Sequence, residues 1–170
     1  RRGIRSVPAD RFRYGLSPDL SVGDNYSITK LTSGSYGSFL WVSQSALRKN
    51  TRAAIKSFEI QGAGTATRVG LLSGGNAQKL VLARELSDDS RLIIAHSPTR
   101  GLDVRACAAV HEHLVAARDA GAAVLLISED LDEILMLSDR VGVLNRGRIV
   151  GEFSRPVNRV SVGECMAGHA

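Results

Sequence analysis

The run Leu72-Ser73-Gly74-Gly75-Asn76-Ala77-Gln78-Lys79 places a hydroxyl, two adjacent glycines and a short amide directly ahead of an apolar helical stretch. The first N–H groups of a helix have no intrahelical acceptor and carry the positive end of the helix dipole. Glycine there lets a ligand come close to the backbone. Ser73, Gly74, Gly75 and Asn76 therefore form a candidate cradle for a phosphate. Taken alone, the same run also reads as an ordinary helix N-cap. Further along, the apolar stretch Leu92-Ile93-Ile94-Ala95 leads into Pro98-Thr99-Arg100-Gly101-Leu102-Asp103. Glu129, Asp130, Asp132 and Glu133 gather at another helix start, where carboxylates stabilise the dipole.

These residues must be held by a fold of ordinary composition. The chain has 170 residues, 44% apolar and 23% charged, enough for one domain with a real core. No apolar run approaches the ~20 residues that span a bilayer. The start, Arg-Arg-Gly, has no apolar h-region of a secretory signal. Cys107 and Cys165 show no metal-ligand spacing and read as thiols in a reducing compartment. The net charge is +5, and Arg1, Arg2, Arg5, Arg11 and Arg13 crowd the start. Without interleaved aromatics or a nucleic-acid motif, that charge reads as a solvated or partner-facing surface, and no nucleic-acid partner is expected.

Patterning predicts a strand at 4–7, a loop over 10–19, and a helix over 22–31 capped by Ser21. A Gly/Ser-rich break at 32–38 precedes a helix over 39–60, with Phe39, Val42, Ala46, Leu47 and Ile55 on one face. A mobile loop spans 61–70. A helix over 77–86 repeats Leu80, Ala83 and Leu86, with Lys79, Arg84 and Glu85 on other faces. Doubly buried strands follow at 92–95 and 123–127, separated by a helix over 104–120 that stops at Gly121. A helix at 131–137 and a strand at 141–144 come next, and Asn145-Arg146-Gly147-Arg148 turns into Ile149-Val150 as a hairpin. The tail from Glu152 is weakly patterned. Strands alternating with helices over 92–144 predict parallel βαβ units and an α/β fold.

The order of these motifs resembles the ATP-binding subunits of ABC importers, the simple sugar and nucleoside class in particular. Val7-Pro8-Ala9-Asp10-Arg11 with Gly15-Leu16 is similar to the Q-loop region of that class's second nucleotide-binding domain. Leu72–Lys79 resembles its signature. Pro98–Asp103, then Ile127-Ser128-Glu129-Asp130-Leu131-Asp132-Glu133-Ile134 and Ser138-Asp139-Arg140, resembles the D-loop through the switch region, and the likeness reaches Met166-Ala167-Gly168. It implies a partial P-loop NTPase (RecA-like) parallel-sheet core with an ABC-type α-helical subdomain. The implied layout is the core strand and Q-loop-like segment at 1–19, the helical subdomain at 20–71, the signature helix and α/β core at 72–150, and a tail at 151–170.

The departures from the family pattern fall on hydrolytic positions. No Gly-rich loop with Lys and Ser/Thr occurs, so the chain is expected to be a piece beginning downstream of one. Where the family has an Asp and a Glu after the buried strand, this chain has His96 and Ser97. Neutral imidazole is a poor ligand for hard Mg2+, and a serine hydroxyl is no base near neutral pH. Glu129 replaces the switch His, and Ala9 replaces the Q-loop Gln or Glu. The resemblance then implies a signature that serves in trans. Ser73, Gly74, Gly75 and Asn76 would clasp ATP held, with its Mg2+, by a second nucleotide-binding domain fused upstream. Asp103 would couple the two sites, and this chain's own site would be hydrolytically dead. Permease subunits would bind near residues 20–60 at the cytoplasmic face of the membrane. Two other expectations stand beside this one: a non-transport ABC-type ATPase of DNA repair or translation, and a non-enzymatic partner-binding fragment.

Overall fold

A computed structural model describes residues 3–31, 36–38, 41–86 and 90–168. The chain divides into two compact units, one ending at Leu125 and the other beginning at Leu126.

In the first unit, β1 (Ile4–Val7) runs parallel to β4 (Leu92–His96), with Ile4 opposite Leu92 and Val7 opposite Ala95. β5 (Ala123–Ile127), whose last two residues are already counted with the second unit, completes a three-stranded sheet in the order β1-β4-β5. After β1 the chain makes one wide helical turn, Arg11–Gly15, closed by Leu16 N–H on Arg11 O at 2.6 Å. Asp10 caps it, accepting from Phe12 N and Arg13 N at 3.1 and 3.0 Å. This turn lies inside the stretch expected to be loop. Helix α1 (Val22–Ser27) begins on Ser21 as expected but is shorter than 22–31.

The helix expected over 39–60 is α2 (Gln44–Ser57), capped by Ser43. Phe39 lies outside the described residues, and Val42 belongs to β3 (Trp41–Val42), paired antiparallel with β2 (Gly37–Ser38). The buried stripe of α2 is Leu47, Thr51 and Ala54, at i, i+4 and i+7. Thr51 qualifies because its hydroxyl donates back to Leu47 O at 2.8 Å. Loop 61–70 is tied down rather than loose. Val22 N donates to Thr67 O at 2.8 Å and Gly23 N to Thr65 O at 2.9 Å. A tight turn, Val69–Leu71, then delivers the chain to α3 (Gly74–Glu85).

Helix α3 packs on β1, α1, α2 and α4 (Val104–Asp119) and against the wide turn. Eight of its residues, Ala77, Gln78 and Leu80 through Glu85, are buried, and only its start and Lys79 keep partial access to water. That corrects the expectation of polar faces for Arg84 and Glu85. Arg84 Nε bonds Glu85 Oε1 at 2.7 Å, and Arg84 Nη1 donates to Gly15 O at 2.6 Å. Ile93 and Ala95 of β4 are fully buried, while Leu92 and Ile94 are half-buried. β5 is not a doubly buried strand. It lies at the sheet edge, and Leu125 and Ile127 stay 52% and 46% exposed.

The second unit holds α5 (Leu131–Leu137), β6 (Arg140–Asn145), β7 (Arg148–Ser154) and α6 (Arg159–Met166). β6 pairs antiparallel with β7 in a sheet of its own, so the strand at 141–144 does not extend the parallel set. The tight turn at Arg146-Gly147, both at positive φ, forces that reversal. The tail forms α6, whose Val162 and Cys165 pack with Val141 and Val143. No described helix is long and apolar enough to cross a membrane.

Candidate functional site

The site is built on the start of α3. Ser73 is the N-cap, and its Oγ accepts from Asn76 N at 3.4 Å and from Asn76 Nδ2 at 3.0 Å. Asn76 Oδ1 accepts from Gln61 N at 2.9 Å, which fixes the amide. The Ser73 oxygen thus receives two donors while its own proton remains to be donated outward. Neither Gly74 N–H nor Gly75 N–H has an acceptor among the described residues. Ser73 is exposed and both glycines are half-buried, so three donors converge on an open helix start. Asn76 orients Ser73 and has both ends of its amide occupied.

The loop at Pro98–Asp103 buttresses this start. Gln78, only 1% exposed, donates Nε2 to Pro98 O at 2.8 Å. A Cβ added at Gly75 would stand 3.3 Å from Ala106 Cβ, so the bare backbone sets the approach of α4. Arg11 from the wide turn lies beside Gly74 and donates Nη1 to Arg100 O at 3.3 Å. Asp103 caps α4, accepting from Ala106 N at 2.9 Å. Its carboxylate is exposed, so one oxygen serves the cap while the group still faces solvent.

Parallel pairing of β1 and β4 brings Ala9 and His96-Ser97 out at the same end of the sheet, two residues or fewer beyond the paired Val7 and Ala95. Open α/β sheets bind ligands at that end. His96 is exposed. Ser97 holds φ at +42°, a left-handed conformation that costs a non-glycine residue roughly 1–2 kcal/mol. It starts the turn that Arg100 N closes on Ser97 O at 3.1 Å. Methyl, imidazole and hydroxyl groups here offer no carboxylate to a divalent cation and no strong base to a water. Glu129 belongs to the second unit, where it is exposed. The neighbouring acidic cluster has its structural explanation. Asp130 caps α5 through Asp132 N and Glu133 N, and Asp132 pairs with Arg159.

Arg11, Gln78 and Arg84 were not anticipated as part of the site. A signal existed for the last two. Leu80-Val81-Leu82-Ala83 is apolar on every face of a helix, so polar residues flanking it must find internal partners.

No family model matches the chain. It is 41% identical over 169 residues to the glucose import ATP-binding protein TsgD13 of Haloferax volcanii, covering 98% of this chain and 31% of that protein. It is 37% identical over 167 residues to the guanosine import ATP-binding protein NupO of Bacillus subtilis, covering 98% of this chain and 33% of that one. Over 98% of its length the chain is thus similar to sugar and nucleoside import ATP-binding proteins. It spans about a third of the length of these relatives. The fold agrees with that likeness. A dimeric, post-hydrolysis structure of the ATP-binding cassette MJ0796 bound to ADP and Pi superposes with a TM-score of 0.72 at 23% identity, over 89% of this chain and 62% of that one. The three-stranded sheet with α3 and α4 thus matches part of the fold of an ATP-binding cassette, consistent with a partial RecA-like sheet. No Gly-rich loop with Lys and Ser/Thr occurs in the 170 residues.

Proposed function

We propose that this chain is the energy-coupling, ATP-binding part of an importer for a simple sugar or nucleoside, and that its signature completes an ATP site owned by a second cassette. One observation carries the reading: at the open start of α3, the Ser73 proton and the Gly74 and Gly75 N–H groups are left uncommitted. Three donors on a helix dipole fit the terminal phosphoryl group of a nucleotide. The relatives named above are glucose and guanosine import proteins, which supports transport over DNA repair, translation or a purely partner-binding role.

The nucleotide would be gripped by the other domain's phosphate loop. Asp103, exposed on the cap of α4, would link the two sites across the interface. The chain's own sheet end, with Ala9, His96 and Ser97, would not hydrolyse, and Glu129 stands where the family has its switch His. The donor set at that sheet end does not suit Mg2+, which prefers oxygen ligands and is satisfied by carboxylates and phosphates. No step is therefore routed through a metal held by this chain. The second cassette would lie upstream in tandem, residues 20–71 would form the helical subdomain facing permease subunits, 72–150 the signature and core, and 151–170 the tail. The assembly would work at the cytoplasmic face of the membrane.

The test is ATPase activity of the full protein assembled with its permease. Ser73→Arg should abolish turnover, at least 100-fold, because a bulky cation replaces a small donor at the phosphate. His96→Ala should change turnover less than about twofold, each factor of ten being about 1.4 kcal/mol of barrier. A severe His96→Ala beside a mild Ser73→Arg would overturn the proposal.

A further inference from the structure

We propose that Arg11 is a positioning residue that locks the wide turn, the signature start and the Pro98–Asp103 loop into one moving piece, so that the Ser73 cradle follows the turn. This rests on the function proposed above, and assigns to Arg11 the control of that same site.

The wide turn touches α3 along most of the helix. At the helix start, a Cβ on Gly74 would stand 2.6 Å from Arg11 Nη2 and 3.4 Å from its Cζ, so the guanidinium lies against the glycine backbone. Midway, a Cβ on Gly15 would meet Val81 Cγ2 at 3.4 Å and Pro8 Cγ at 3.3 Å. In the last helical turn, Arg84 Nη1 donates to Gly15 O at 2.6 Å. Arg11 also reaches the third segment, donating Nη1 to Arg100 O at 3.3 Å. Its Nε is shut off from solvent with no hydrogen-bond partner among the described residues, so burial rather than hydrogen bonding holds that part of the guanidinium. A planar fork can lie flat on one backbone while donating to another; a lysine ammonium is a single point and cannot.

The turn connects β1 of the sheet to α1. A displacement of β1 relative to α1 is transmitted along the chain through it. With both of its ends fastened to α3, such a displacement carries Ser73, Gly74 and Gly75 with it. Gly74 then has a reason beyond ligand access: a side chain there would push the Arg11 guanidinium off its seat.

The experiment measures ATPase kcat and KM in the full protein assembled with its permease. Arg11→Ala should lower kcat at least tenfold and change the KM for ATP less than twofold, because the nucleotide is held by the other domain. Arg11→Lys, which keeps the charge and loses the fork, should be equally impaired; full rescue by lysine would overturn the proposal. Gly74→Ala should lower kcat as much as Arg11→Ala, and the double variant should be no worse than either single one within twofold. If instead the two losses multiply in the double variant, Gly74 serves the ligand alone and the linkage is wrong. Ser73→Arg keeps the two ideas apart. If it abolishes turnover while Arg11→Ala leaves kcat intact, only the Arg11 inference fails. If Ser73→Arg itself is harmless, the functional reading fails first.

Discussion

Helices α1 and α3 start on nearly the same words, Ser21-Val22-Gly23-Asp24 and Ser73-Gly74-Gly75-Asn76, and end up with opposite chemistry. At α1 everything is closed. Val22 N and Gly23 N donate to Thr67 O and Thr65 O at 2.8 and 2.9 Å, and the Ser21 hydroxyl donates to Asp24 Oδ2 at 2.6 Å. At α3 the two glycine N–H groups have no acceptor among the described residues, and Asn76 Nδ2 donates to Ser73 Oγ, so the hydroxyl proton faces outward. A serine cap is a stabilising device at both. Only the second leaves donors over for a ligand, because a loop covers the first and an amide replaces the carboxylate at the third helical position. The difference teaches that an anion cradle is defined by the donors left over after capping.

The largest expected effect comes from removing what holds α3 from behind. Arg84 and Glu85 are side by side with side chains 8% and 10% exposed, and Arg84 also holds Gly15 O. Arg84→Met leaves a buried carboxylate without its cation, a change that costs about 3–5 kcal/mol. Chemical denaturation should register that loss. Combining Arg84→Met with Glu85→Leu should recover most of it, since a buried pair replaced by apolar residues is often near neutral. An Arg84→Met chain as stable as the parent would mean that the pair contributes nothing, and that α3 owes its place to the apolar core alone.

Next in size is the exchange that turns one helix start into the other. Asn76→Asp keeps the shape but installs the carboxylate found at α1. It should take the Ser73 proton, as Asp24 takes that of Ser21, and set a negative charge beside the bound phosphate. ATPase turnover should fall at least tenfold, about 1.4 kcal/mol. Fold stability should hold or rise by roughly 0.3–1 kcal/mol, because a carboxylate suits a helix N-terminus. The reciprocal Asp24→Asn should lower stability slightly and leave turnover unchanged. Equal turnover losses in the two variants would erase the distinction between a closed and an open start.

Much of this site was legible in the sequence because it is local. A serine, two glycines and an amide before an apolar run specify a cap and bare N–H groups within five residues. The strand at 4–7 and the stop of α4 at Gly121 follow from equally short patterns. What escaped depends on contacts far apart along the chain. Arg11 meets Arg100 and Gly74, Gln78 meets Pro98, and Arg84 meets Gly15, none of which has a periodic signature. The misread helix at 39–60 has a local cause, since Val42 fits a helical stripe and a strand equally well, and the Ser43 cap decides between them. The exposed faces of Leu125 and Ile127 were misread because an apolar run reports affinity for a core and not whether a neighbour covers it.

The smallest effect separates stability from turnover at the same helix. His113 of α4 stacks on Phe58, the C-cap of α2, with ring centroids 4.2 Å apart. Three residues on, Gln61 N holds Asn76 Oδ1. Burial lowers the His113 pKa below 6.5, opposed by the carboxylates of Glu112 and Glu59 and assisted by Lys79. Between the lowered native value and 6.5, the unfolded chain binds the extra proton and the native one does not, so unfolding takes up protons. The stability from the neutral ring is fully present above 6.5 and declines as pH falls from 6.5 through the native pKa. Denaturation midpoints at pH 7.5 and 5.5 should show this loss, and His113→Gln should flatten it. The Ser73 cradle contains no group that titrates in that window, so any acid-linked change in turnover that survives His113→Gln cannot arise from the stack. A His113→Gln chain with an undiminished midpoint shift would remove the stack from the account and leave α3's support to the wide turn and Arg84.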